Sequence, residues 1–286
     1  MNIDHLKYKS VSILMGLFIM ILFMQMGFFV AHQLFGVQLG WNLFQYCLSL
    51  MDENTYPHIT VKMMINSFIL YTVTRVLWRL VKQIYLTIKW SVAFQNKQDK
   101  KLTRRLNVKY RKWGYELVVV SDDSFIALTM GMIRPKIIVS TGVLNSYSVN
   151  EVQAILQHER YHCMRRDPLK IFISTLLVVG LGYIPIFKCF HHYYKTWKEL
   201  LADRYVIKMM GTEYVLGSVL VKLTERKDTF EPAVGVHFAN VAVNYRMLQV
   251  LQPEKPIQVP FFHFRPIAIS LCMTFLMTVA VWGGCS

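Results

Sequence analysis

The pentad His158-Glu159-Arg160-Tyr161-His162 constrains this chain more tightly than any other stretch. It falls in a segment that reads as a helix from Ser148 to Arg165. Ser148 and Glu151 form an S-x-x-E capping box, and Val152, Ile155 and Leu156 supply an apolar face. Histidines four residues apart lie one turn apart on one face, so two imidazoles can grip one metal ion. The glutamate beside the first histidine can then reach a metal-bound water. A solvated surface helix would account for each residue singly, but not for this spacing. A catalytic zinc also needs a third protein ligand and an open position. Glu199, in Lys198-Glu199-Leu200-Leu201-Ala202-Asp203, is the best candidate. Alone it would read as a solvated helix charge. With Asp203 one turn later, one carboxylate can bind metal while the other orients a ligating imidazole.

The rest of the chain places that motif in a membrane protein. Over half of the residues, 54%, are hydrophobic and only 17% are charged, against about 25% charged in soluble domains. Val11–Ala31 is nearly all apolar and long enough to cross a hydrocarbon core of about 30 Å. Ile59–Leu80 is a weaker span, carrying Lys62, Asn66, Arg75 and Arg79, and Ile267–Trp282 is a short third one. Residues 32–60 contain no Lys or Arg, whereas nine lie between Lys89 and Lys112. Positive loops stay inside, so the segment from Lys89 to Arg265 is expected in the cytoplasm and the 32–60 loop outside. The net charge of +15 is then read as contact with lipid headgroups and not with nucleic acid. Five cysteines stand far apart with no C-x-x-C pair, which argues against a zinc finger or a disulfide framework and for small buried hydrophobes.

The apolar segment Ile171–Phe187 lies between the histidines and Glu199. Cations flank it on both sides, and Gly180, Gly182 and Pro185 weaken a straight helix. A bent or re-entrant element that returns to its starting side is expected. Short strands are expected at Glu116–Ser121, Phe125–Leu128 and Lys136–Ser140. An edge strand of such a sheet could pair with an extended peptide.

The pattern Glu151-x-x-x-Ile155-Leu156-x-His158-Glu159-x-x-His162-x-x-x-Arg166-Asp167, followed by Glu199-x-x-Ala202-Asp203, resembles the membrane gluzincin peptidases. It is most similar to the beta-lactam sensor-transducer (antirepressor) peptidase family of Gram-positive bacteria, a resemblance that also takes in Gly131–Val139 and covers roughly residues 90–285. The resemblance implies a zinc endopeptidase in which His158, His162 and Glu199 bind the metal and Glu159 is the base. The family's sensors carry a penicillin-binding domain after the last span. None follows here, so beta-lactam sensing by that route is not expected.

The expected fold is a mainly helical membrane protein of about three transmembrane helices. Residues 1–88 form the membrane region with two spans, 89–265 a cytoplasmic α+β zinc metallopeptidase domain, and 266–286 the C-terminal transmembrane helix. Asp203, Asp167, Arg246 and His237 are candidates for supporting a ligand or stabilising the transition state. Asp167 also suits a helix N-cap before Pro168. The expected substrate is a protein or peptide, either a cytoplasmic transcriptional repressor or the chain itself, cut on the cytoplasmic side in regulatory proteolysis. The other expected partners are membrane lipids and a second copy in a homodimer. The rival reading is a non-catalytic signal-transducing receptor with a structural metal site, in which an intact Glu159 would have no purpose.

Overall fold

The computed structural model describes residues 3–36, 56–225, 236–237, 243–252, 257, 259–260, 265–270 and 272. It is mainly helical with one small sheet. In chain order the elements are α1 (Ile3–Phe35), α2 (Tyr56–Asn96), α3 (Lys100–Lys109), β1 (Leu117–Val120), β2 (Ala127–Met130), β3 (Lys136–Ser140) and α4 (Thr141–Ser146). They continue with α5 (Val149–Arg165), α6 (Asp167–Gly180), α7 (Pro185–Met210), α8 (Tyr214–Glu225), β4 (Val236–His237) and α9 (Val243–Leu251). The chain divides into two compact units. One comprises residues 1–79, 176–191 and 261–286, the other 80–175 and 192–260.

The second unit holds the sheet, in the order β1-β3-β2-β4. β1 pairs parallel to β3, while β2 runs antiparallel to both β3 and β4. Its three longer strands are largely apolar because both faces are covered. Leu117, Val119, Ala127, Ile137 and Val139 pack with Ala154, Ile155 and Cys163 of α5 and with Val219 and Leu220 of α8. Val118, Val120, Ile126, Leu128 and Ile138 point the other way, against Leu86, Trp90 and Phe94 of α2. The alternation of neighbours across the strand is the two-residue period of the pleat.

Helix α5 starts where its capping box predicts. The Ser148 hydroxyl accepts from the Glu151 N–H and the Glu151 carboxylate accepts from the Ser148 N–H. Glu151 also accepts from Ser218 Oγ at 2.6 Å and from Lys222 Nζ at 2.7 and 2.8 Å, pinning α5 to α8. Burial pushes its carboxyl upward, but Lys222, Ser218 and Ser148 outweigh burial and bring it down to about 2. A lowered carboxylate stabilises the fold above its unfolded value and loses that contribution as pH falls through the folded one. Glu151→Gln is therefore expected to destabilise by about 1–2 kcal/mol at neutral pH, discounted because Lys222 is half exposed. Thermal melts of both forms should converge as pH drops from about 4.5 toward 2. A gap independent of pH would contradict this.

In the first unit, Met26 and Phe29 of α1 pack against Ile69 of α2. Among the described residues, no helix is long and apolar enough to cross a membrane. The expected second span falls short because Lys62, Asn66, Arg75 and Arg79 interrupt it within the 41-residue α2. The run Val11–Ala31 lies in α1, with part of its side chains outside the described set, and most of Ile267–Trp282 lies outside the described residues. The expected count of three spans is thus not carried by the described residues. The cysteines also differ from expectation: Cys163 is buried, but Cys189 is only partly so and Cys272 is exposed.

The apolar segment 171–187 is not one helix. α6 ends at Gly180, residues 181–184 form a turn, and α7 begins at Pro185, a residue suited to a first helical position. Gly180 permits a close approach, since a Cβ there would lie 2.9 Å from Val76 and 3.1 Å from Phe23. Through this break α7 carries Glu199 back toward α5.

Candidate metal centre

Three side chains converge at the seam of α5 and α7. His158 Nε2 lies 3.0 Å from His162 Nε2 and 3.2 Å from Glu199 Oε2, and His162 Nε2 lies 3.6 Å from Glu199 Oε1. Ligand atoms about 2.0–2.1 Å from one tetrahedral metal are separated by about 3.3 Å, so the triangle has the size of a zinc coordination face. All three residues are buried.

The other nitrogen of each imidazole is committed. His158 Nδ1 is 2.9 Å from Asp203 Oδ1, and His162 Nδ1 is 2.9 Å from Asp167 Oδ2. Asp167 can accept the His162 Nδ1 proton and Asp203 faces His158 Nδ1 at ion-pair distance, so both Nε2 atoms are the ones turned toward a common point. Each carboxylate is held in turn by a buried cation. Arg246 donates to Asp203 from Nε at 2.6 Å and Nη2 at 2.8 Å. Lys198 Nζ donates to Asp167 Oδ1 at 2.6 Å.

Turn chemistry delivers Asp167. α5 is capped by Arg166 in the left-handed region, at φ 51°, with its N–H bonded back to the last turn. That conformation costs a non-glycine residue about 1 kcal/mol. The reversal starts α6 at Asp167-Pro168 and points the carboxylate back at His162.

Glu159 is fully buried and feels the charges of His162, His158 and Glu199. Thr129 of β2 donates to its Oε2 at 2.8 Å and lies 2.9 Å from its backbone carbonyl oxygen. Glu159 Oε1 has no hydrogen-bond partner among the described residues. An orphaned buried carboxylate oxygen is costly, and a water beside the metal would satisfy it. Burial raises the Glu159 carboxyl above its usual range. Burial opposes ionisation of Glu199 and Asp167 as well, but His158 and His162 with Arg246 keep Glu199 low, and His162 with Lys198 keeps Asp167 low. Asp203 is held at about 2, mainly by Arg246 against its burial. Burial disfavours a proton on His158, yet its bonds to Asp203 and Glu199 raise it to about 9.

The charges make the same point. Glu159, Asp167, Glu199 and Asp203 are four buried carboxylates, faced by two buried cations, Lys198 and Arg246. A divalent ion would take over the positive charge that a proton on His158 otherwise supplies among these carboxylates. Geometry, tautomers, the orphaned oxygen and charge all fit a metal at His158, His162 and Glu199.

Two of the candidate positions fall beside the ligands. Arg246, a candidate to stabilise the transition state, has its guanidinium fully buried against Asp203, with Nη1 3.5 Å from Glu199. It supports the ligands because Asp203 captures two of its donors. Asp167 stands at the start of α6 but commits its carboxylate to His162 and Lys198. His237 lies in β4 opposite Leu128, and its side chain is outside the described residues. Sequence reasoning does not single out Thr129 or Lys198. Thr129 is detectable as the one hydroxyl in the apolar strand Ala127–Met130, and Lys198 only as the neighbour of Glu199.

Residues 51–249 match the family model described as BlaR1 peptidase M56. The chain belongs to that family. It is 31% identical over 117 residues to the regulatory protein BlaR1 of Bacillus licheniformis. That match covers 40% of this chain and 19% of the relative, so the relative's regulatory role does not transfer by length alone. The crystal structure of S. mikatae Ste24p aligns over 81% of this chain and 66% of its own, at 15% identity and a TM-score of 0.43, too loose a likeness to bear on the fold. As an M56 peptidase, the chain brings its histidines and Glu199 together inside the matched region.

Proposed function

We propose that this M56 peptidase is a membrane-embedded zinc endopeptidase that cuts a protein substrate on the cytoplasmic side as a step in signal transduction. The observation that carries the reading is Glu159 Oε1, buried and unpartnered on a residue in electrostatic contact with the three convergent ligand residues. A zinc ion held there would polarise the scissile carbonyl and acidify the attacking water. Glu159 takes the proton from that water and passes it to the leaving amine. Thr129 keeps the carboxylate aimed by bonding its other oxygen. Asp203 and Asp167 hold the imidazoles in the tautomer that ligation requires. The expected substrates remain a cytoplasmic repressor or the chain itself. The test is to compare newly exposed protein N-termini, by mass spectrometry, in cells carrying the wild type or Glu159→Gln. Termini found only with the wild type are expected, and identical sets would sink the reading.

The membrane placement is supported by the apolar run Val11–Ala31 within a 33-residue helix and by the basic stretch from Lys89 to Lys112. Single cysteines placed by Asn150→Cys and Thr212→Cys in a cysteine-free background should be shielded from impermeant thiol reagents in intact cells, while Asn54→Cys should react. Labelling of the Thr212→Cys variant from outside would overturn the cytoplasmic placement.

A further inference from the structure

The ends of the apolar hairpin formed by α6 and α7 meet at one ion pair. Lys198 is 4% exposed and Asp167 0%, and Lys198 Nζ also lies 5.3 Å from the ring centre of Tyr194. The partners are 31 residues apart in sequence, with the whole hairpin between them. The two Asp167 oxygens serve different partners, since Oδ1 accepts from Lys198 and Oδ2 from His162. Lys198 is also the residue immediately before Glu199, on the same helix. One buried pair therefore touches the mountings of two proposed ligands that the hairpin separates.

We infer that Lys198 is a positioning residue, a latch that closes the base of the apolar hairpin on Asp167 and so holds His162 and Glu199 in register for one metal ion. Without the ammonium, Asp167 Oδ1 would lose its charged donor in a fully buried position. Such a group turns toward water or another donor, and that movement releases Oδ2 from His162. The imidazole is then free to rotate or change tautomer. A displacement of the hairpin that pulled its two ends apart would break the same pair, so the latch links hairpin position to metal affinity.

This inference rests on the metal centre proposed above. The test uses the full chain in detergent and reads zinc affinity by competition with a chromogenic chelator, a readout independent of catalysis. Lys198→Met is expected to weaken zinc binding about 10–100-fold, the usual cost of losing a group that orients a ligand. Lys198→Arg should restore affinity to within about threefold, because it returns a cation to Asp167. On an Asp167→Asn background, Lys198→Met should add little, since the two act through one contact. Lys222→Met, which removes a lysine from Glu151 on the far end of α5, should leave zinc affinity unchanged. Should Lys198→Met fail to fold, Asp167→Asn carries the test and must itself weaken zinc at least about tenfold. Wild-type affinity in Lys198→Met or in Asp167→Asn, or full additivity in the double variant, overturns the latch. A wild-type chain that takes up no zinc would instead overturn the metal centre itself.

Discussion

Glu159→Gln is expected to keep its zinc and to cleave about 10²–10⁴-fold more slowly than the wild type, the usual worth of a positioned general base. The substitution is nearly isosteric and touches none of the three ligand atoms. Its amide can still accept from Thr129 through the oxygen that replaces Oε2. What is lost is the free, buried oxygen that receives the proton. Thr129→Val, which frees Oε2, should lower turnover by a smaller factor, about tenfold for one lost orienting hydrogen bond. The measurement is kcat on a cleaved peptide, with metal content read from the same preparation. Normal turnover in Glu159→Gln would sink the proposed chemistry. A cellular signal that persists in this variant would favour a receptor whose metal is structural.

The second large effect is on stability. Arg246 is a fully buried guanidinium bound in a fork to Asp203. Removing one partner of a buried pair costs about 3–5 kcal/mol, because the other charge is left without compensation. Arg246→Met should therefore lower the stability of the second unit by that amount and release zinc, since Asp203 no longer holds His158. The double change Arg246→Met with Asp203→Leu should recover part of the stability but not the metal. If Arg246→Met melts within experimental error of the wild type, the pair does not hold the site together.

The parts of this arrangement that sequence made legible are the local ones. The capping box at Ser148 and Glu151 depends on a three-residue spacing, and the helix that carries both histidines begins there. The short, β-branched apolar runs Leu117–Val120 and Lys136–Ser140 mark strands by length and residue type. The break between α6 and α7 follows from Gly180, Gly182 and Pro185. The parts that sequence left hidden depend on partners far along the chain. Lys198 reaches Asp167 across 31 residues, Thr129 reaches Glu159 across 30, and Arg246 reaches Asp203 across 43. No spacing rule reports such pairs. Arg246 illustrates the limit: its cationic character suggested a hydrogen-bond donor for substrate, and only the burial of Asp203 beside it shows where those donors go. The strand β4, two residues long, is likewise defined only by its pairing with Leu128 and Thr129.

The central claim is that His158, His162 and Glu199 hold one metal ion. Elemental mass spectrometry of the purified full chain tests it most directly. The account predicts about one zinc per wild-type chain, the same in Glu159→Gln, and loss of zinc in His158→Ala, His162→Ala and Glu199→Ala. Each of those three removes a corner of the triangle, so the loss should exceed the roughly 10–100-fold expected for a supporting group. Full zinc in the Glu199→Ala protein, or none in the wild type, would contradict it.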